Sequence, residues 1–221
     1  METNKAAKTG SGLMILGSLL FIGLIAGAIM LMGGSKGEGK LADGSSLTSD
    51  YGSVPAEATF MNQKGEKIAL GTLRGRVWVA SFIFTRCQGT CPIMTKSLSG
   101  LQDDLKAIGD IGVVSFTVDP QYDTPERLQE YAQENQADQS RWLFLQGSDS
   151  AVQHLARNSF HVGIAEGTSK EEPIIHSSRF FVVDGEGEIR GMYDGRDDVE
   201  KKKMLDDLRT LLKEEGNARG H

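Results

Sequence analysis

Cys87 and Cys91 bracket three residues in the stretch Phe84-Thr85-Arg86-Cys87-Gln88-Gly89-Thr90-Cys91-Pro92. They are the only 2 cysteines in 221 residues, too few for a disulfide framework or a four-thiolate zinc site. A lone pair of thiols can run redox chemistry, or it can bind a metal with help from another side chain. The 4 histidines, His154, His161, His176 and His221, are the available help. Two thiolates with one imidazole make a soft, low-coordinate site suited to Cu(I), with Cu(II) admitted where oxygen ligands assist. A structural zinc site would need a fourth protein ligand, and the sequence supplies no clear one.

Placement decides what such a pair can do. Residues 76–84 (RVWVASFIF) form a near-continuous apolar run, the pattern of a strand buried on both faces. Residues 92–107 show helical spacing through Ile93, Leu98, Leu101 and Leu105. The cysteines therefore lie beyond the carboxyl end of a strand, where ligands gather in open α/β sheets. Pro92 disfavours helical geometry at Cys91 and puts that residue at the helix N-terminus. Free N–H groups and the positive end of the helix dipole there favour thiolate over thiol. Within one helix, residues i and i+4 hold their Cβ atoms about 5–6 Å apart, against roughly 3.5–4.5 Å for a disulfide. The looser loop through Gly89 can close to a disulfide or hold two sulfurs around an ion.

The other candidates are weaker. His176 stands just before an expected strand at 179–183, whose start can face the cysteine junction; by residue type alone it is as readily a buried or surface histidine. His154 within a helix and His161 just after it read as surface residues, and His221 ends the chain. Met94, in a first helical turn, reads as space filling. Asp119 and Asp123, in Val118-Asp119-Pro120-Gln121-Tyr122-Asp123-Thr124-Pro125, read first as turn and cap residues that could also touch the site. Asp194, Asp197 and Asp198 lack an EF-hand pattern and read as a solvated loop.

Around the site, strands are expected at 67–70, 111–118 and 142–145, with a hairpin joining 179–183 to 188–192 through Asp184-Gly185-Glu186-Gly187. Helices are expected at 124–135, opened by Asp123 and Glu126 as a capping box, at 149–159 behind Ser148 or Asp149, and at 199–213. This alternation indicates an α/β fold with a central sheet covered by helices. Periodicity alone does not select one arrangement within that class.

Ahead of the domain, residues 9–35 carry no charge, and residues 13–32 read LMILGSLLFIGLIAGAIMLM. Twenty such residues at about 1.5 Å each match a hydrocarbon core of about 30 Å. Ala26-Gly27-Ala28 resembles a signal cleavage site, but the apolar run continues past it, which favours an uncleaved single-pass anchor. Lys5 and Lys8 balance Lys36 and Lys40, and the α-amino group tips the N-terminus inward. No arginine-rich transit peptide precedes the span, so the expected location is a bacterial inner membrane with the soluble domain on the periplasmic side. The expected layout is a short tail at 1–12, the anchor at 13–32, a Gly/Ser-rich linker at 33–56, a domain at 57–215 and a tail at 216–221. As a random coil the linker spans roughly 25–30 Å, holding the domain near the membrane. A net charge of −6 and a pI of about 5.3 argue against nucleic acid as a partner.

Together, Phe84-Thr85-x-Cys87-x-x-x-Cys91-Pro92, Val118-Asp119-Pro120-x-x-Asp123-Thr124-Pro125 and His176 followed by Ser177 resemble the Sco/SenC family of copper-binding assembly factors for cytochrome c oxidase. The similarity covers about residues 57–213 and the anchor-plus-tether layout. It implies a thioredoxin-like fold, a mixed central sheet flanked by helices, in which Cys87, Cys91 and His176 bind copper. It also implies delivery of copper to, or thiol reduction of, the binuclear copper site in the oxidase's copper-bearing subunit, with a thioredoxin-like reductant as a second partner. Family members usually carry Pro-Asp after the first cysteine, where this chain has Gln88-Gly89; many carry aspartate before the histidine, where Ile175 stands. The competing reading is a thiol–disulfide oxidoreductase or thiol peroxidase working without metal. Its usual motif is the tighter C-x-x-C, so the metallochaperone reading leads.

Overall fold

In the computed structural model, residues 47–48, 51–163, 165–166, 174–175 and 177–219 are described. The expected anchor at 13–32, His176 and His221 lie outside them. Among the described residues no helix is long and apolar enough to cross a membrane.

Strands β1 (Thr59–Asn62), β2 (Lys67–Ala69), β3 (Trp78–Ile83), β4 (Gly112–Thr117), β5 (Trp142–Gln146), β8 (Arg179–Val183) and β9 (Ile189–Asp194) form a mixed seven-stranded sheet in the order β2-β1-β5-β4-β3-β8-β9. Two short strands, β6 (Ala165–Glu166) and β7 (Ile174–Ile175), pair apart from it. The central strands β3, β4 and β5 run parallel, with Trp78 opposite Gly112 and Ile83 opposite Thr117. The outer pairings β1–β5, β3–β8 and β8–β9 are antiparallel. Every residue of β3 and β4 is buried, which is why both read as mostly apolar runs, broken only by small polar residues such as Ser81, Ser115 and Thr117. Strand β9 instead alternates, Ile189, Gly191 and Tyr193 buried and Met192 exposed, as a strand with one wet face must. The rings of Phe60, Phe82 and Phe160 pack around Phe116, with Phe82 and Phe116 stacked at 5.6 Å.

The helices are α1 (Thr90–Ile108), α2 (Pro125–Glu134), α3 (Asp149–His154, continuing as a π-helical turn over Leu155–Ser159) and α4 (Asp198–Arg219). Ser148 caps α3, its hydroxyl accepting from the Ala151 N–H at 3.2 Å. The apolar residues Met204, Leu208 and Leu211 seat α4 against β9 and α1.

Three details differ from the sequence pattern. Leu70 belongs to a 3-10 turn (Leu70–Leu73) rather than to β2. Helix α4 runs past Lys213 to Arg219, since polar residues can continue a helix after its apolar stripe has ended. The fold also reaches back into the stretch read as linker. Leu47 and Val54 are buried, the Thr48 N–H donates to the Arg190 carbonyl at 2.8 Å, and the Val54 N–H donates to the Gly187 carbonyl at 2.8 Å. Two isolated apolar residues among glycines and serines make no periodic signal, yet each fills a site on the core.

Candidate metal and thiol site

Strand β3 delivers the site. The Cys87 N–H closes a turn on the Phe84 carbonyl at 3.2 Å, and the chain then enters α1 at Thr90. Cys91, the second residue of α1, is fully buried, and Cys87 is 5% exposed; neither is in a disulfide. No side chain caps α1 at Gly89. Instead the Cys91 N–H donates to Cys87 Sγ at 3.4 Å, so a sulfur occupies the place of a capping oxygen.

This geometry corrects the expected division of labour between the thiols. The sequence position assigns the helix-end stabilisation to a Cys91 thiolate, but the orphan N–H points at Cys87. The Cys91 thiol is pushed far above its ordinary pKa, first by its hydrogen bond to Cys87 and then by burial. Cys87 thus receives the donor that favours an anion, while the contact with Cys87 and burial disfavour one at Cys91. Beneath the pair, Tyr131 pairs with the Thr95 hydroxyl at 2.9 Å, and burial holds its phenol neutral by raising its pKa.

The loop before Cys87 is tied on both sides. Inward, Asp123 is fully buried and accepts the Thr85 N–H at 3.0 Å, the Thr85 hydroxyl at 2.5 Å and the Thr117 hydroxyl at 2.5 Å. Burial raises the Asp123 pKa while these donors pull it down. Arg127 Nε reaches the Thr85 hydroxyl at 3.4 Å. Outward, Arg86 donates to Asp119 at 2.6 Å and lies over the Tyr122 ring at 5.0 Å.

Asp123 is therefore not the cap of α2. That role falls to Thr124, whose hydroxyl accepts the Arg127 N–H at 3.3 Å with Pro125 opening the helix. The side chains at Thr85 and Thr117 draw Asp123 inward, away from the helix end. Sequence reasoning read the second motif first as turn and cap chemistry, with contact to the site as the alternative. One signal could have shown more: parallel, adjacent strands place the loops after β3 and β4 at the same end of the sheet.

His154 is exposed at the end of α3, with Nδ1 2.9 Å from the Asn158 amide. His161 is exposed at a left-handed φ of 52°. Met94 is fully buried, in keeping with a packing role. Asp197 accepts the Val199 and Glu200 N–H groups at the start of α4, which is cap chemistry. Among the described residues no cluster of three His, Cys, Asp or Glu side chains stands ready to hold a metal ion. The described part of the site offers two soft sulfur donors. This fits a thiophilic cation and equally fits disulfide formation.

The family model described as SCO1/SenC matches residues 49–213. The structure resembles that of a SCO1/SenC family lipoprotein from Bacillus anthracis, at 32% identity and TM-score 0.65, over 70% of this chain and 92% of that one. It also resembles BsSco, described as having a disulfide switch and as a member of the Sco family of cytochrome c oxidase assembly proteins; identity is 34% and TM-score 0.60 over 72% of this chain and 96% of that one. The copper-bound ScoI of Arabidopsis thaliana shares the fold at 23% identity and TM-score 0.60, over 69% of this chain and 96% of that one.

Proposed function

The chain belongs to the SCO1/SenC family, and from that premise we propose that it is a membrane-anchored copper metallochaperone that assists assembly of the binuclear copper site of cytochrome c oxidase. Copper is its cargo, held by the Cys87 and Cys91 thiolates and the His176 imidazole. The observation that carries the reading is the pair of reduced cysteines joined by the Cys91 N–H···Sγ contact at the mouth of β3. Support for the third ligand comes from topology. Strand β8 runs antiparallel to β3, with Ala80 opposite Phe181 and Trp78 opposite Val183. Its first residue, Arg179, thus lies toward the carboxyl end of β3, and position 176 is three residues upstream.

Only the reduced pair can take the metal, so redox state gates loading. Binding Cu(I) through both sulfurs displaces the Cys91 proton. Transfer then proceeds by ligand exchange onto the cysteines of the acceptor subunit. A second reading has its own support: the contact between the two cysteines also suits closure to a disulfide, and BsSco is described as having a disulfide switch. In that reading the pair exchanges electrons with partner cysteines, and a thioredoxin-like reductant resets it.

The proposed layout is a short tail at 1–12, an anchor at 13–32 and a linker that starts at 33 and gives way, from Leu47 onward, to segments packed on the domain, whose last helix ends at Arg219. The anchor places the domain on the periplasmic face of a bacterial inner membrane. The Bacillus anthracis relative is a lipoprotein, whereas both cysteines of this chain lie at 87 and 91, leaving the apolar run to do the anchoring.

The test is copper stoichiometry and Cu(I) affinity of the reduced protein, by competition with a Cu(I) chelator. One equivalent is expected for the wild type. Cys87→Ser, Cys91→Ser and His176→Ala should each weaken binding, and His154→Ala should not. Equal affinities for His176→Ala and His154→Ala would remove His176 from the site.

A further inference from the structure

We infer that Asp123 is a positioning residue for the thiol pair: through Thr85 and Thr117 its carboxylate fixes the turn that presents Cys87 Sγ to the Cys91 N–H. The inference rests on the pair being the working site, and its test does not depend on copper.

Asp123 is an acidic side chain with no exposed surface, and it is not used to start the helix that follows it. Its bonds run elsewhere. All three donors it accepts belong to the last residues of two parallel strands and the loop leaving one of them. Ile83 and Thr117 are the final register pair of β3 and β4, and the Val118 N–H donates to the Ile83 carbonyl at 2.8 Å just beyond. There the strands stop pairing and the backbone of β3 must turn. The Asp123 carboxylate bridges that gap, taking the Thr117 hydroxyl from the end of β4 and both the N–H and the hydroxyl of Thr85 from the loop that leaves β3.

With Thr85 pinned, the Phe84 carbonyl is oriented to receive the Cys87 N–H at 3.2 Å, and the sulfur follows. The Thr85 hydroxyl is itself held by Arg127 Nε at 3.4 Å, which leaves its proton directed to Asp123. A buried polar network in which each of these groups is paired rigidifies its surroundings, so the corner is held in one state. The outer tie, Arg86 with Asp119 and Tyr122, is 45% exposed at the arginine and can exchange with water; the inner one cannot.

The test uses the reduced, metal-free full-length chain in detergent, labelled with limiting iodoacetamide and read by peptide mass spectrometry as the ratio of Cys87 to Cys91 alkylation. The wild type should favour Cys87. Asp123→Ala should cut that preference at least fivefold. Thr117→Val, which keeps the side-chain shape and deletes both the donor to Asp123 and the acceptor of the Asp119 N–H, should move it in the same direction by about twofold. Asp123→Asn, which keeps one acceptor oxygen, should restore part of what alanine loses.

Asp207→Asn is the control for destabilisation, because Asp207 is a buried carboxylate accepting the Tyr193 hydroxyl at 2.7 Å between α4 and β9. It should lower the melting temperature and leave the ratio unchanged. The inference is overturned if Asp123→Ala and Thr117→Val keep the wild-type ratio, or if Asp207→Asn shifts it equally. A wild type that fails to bind copper but shows this pattern would sink the metallochaperone reading and leave the inference standing.

Discussion

The two ends of the parallel strands are closed in opposite ways. At the amino end, where β3 and β4 begin at Trp78 and Gly112, Arg76 and Arg141 converge on Asp110, and the Asp110 side chain is 72% exposed. At the carboxyl end, Asp123 is sealed from solvent with three donors on its two oxygens. Both ends use a carboxylate to tie neighbouring strands, but only one removes it from water. An exposed ion pair contributes little and can be lost cheaply, whereas a buried carboxylate is costly to hold and costlier to break. The fold spends its rigidity at the end that carries the cysteines.

The largest expected effect is chemical. Cys87→Ser should lower Cu(I) affinity at least 100-fold, because a hydroxyl is a poor ligand for a soft cation. A chelator competition giving less than a tenfold loss would mean that the carboxyl end is rigid for some purpose other than metal binding. Next comes Asp123→Ala. Removing the shared acceptor leaves the Thr85 N–H and two hydroxyls buried without it, a loss of about 2–4 kcal/mol by the usual cost of unsatisfied buried donors. Urea unfolding monitored by tryptophan fluorescence would read it, and a loss below about 1 kcal/mol would erase the contrast between the two ends.

The contrast also shows what the sequence could and could not disclose. Strands β3 and β4 were legible because burial on both faces writes itself as an apolar run, and the cysteine pair was legible because its residue types are rare here. The roles of Asp123 and Thr124 were not. Both are good helix caps, and the choice between them was made by Thr85 and Thr117, which are 38 and 6 residues away from Asp123. The asymmetry of the thiols was hidden for a similar reason. Position in sequence says which residue starts a helix, while the direction of one N–H says which sulfur benefits. Leu47 and Val54 escaped because a single buried residue has no period.

The smallest effect is expected at the amino end, and its pH dependence sharpens the comparison. Arg141, and after it Arg76, hold the Asp110 carboxyl below the usual carboxylate range. A carboxylate whose folded pKa is depressed adds stability that is present above its unfolded pKa of about 3.9 and fades as pH falls through the folded value. Asp123 has the opposite sign, since burial raises its pKa, so its ionisation weakens the fold as pH rises through that raised value. Asp110→Asn should therefore cost under about 1 kcal/mol at neutral pH, and the loss should shrink in high salt and below about pH 4. Asp123→Asn should show no such shrinkage with salt, because its partners are dipoles in a dry interior rather than charges at the surface. Melting temperatures of the two variants, measured across pH 3–8 at low and high salt, separate these behaviours. Parallel curves would mean that the two ends are held by the same kind of interaction.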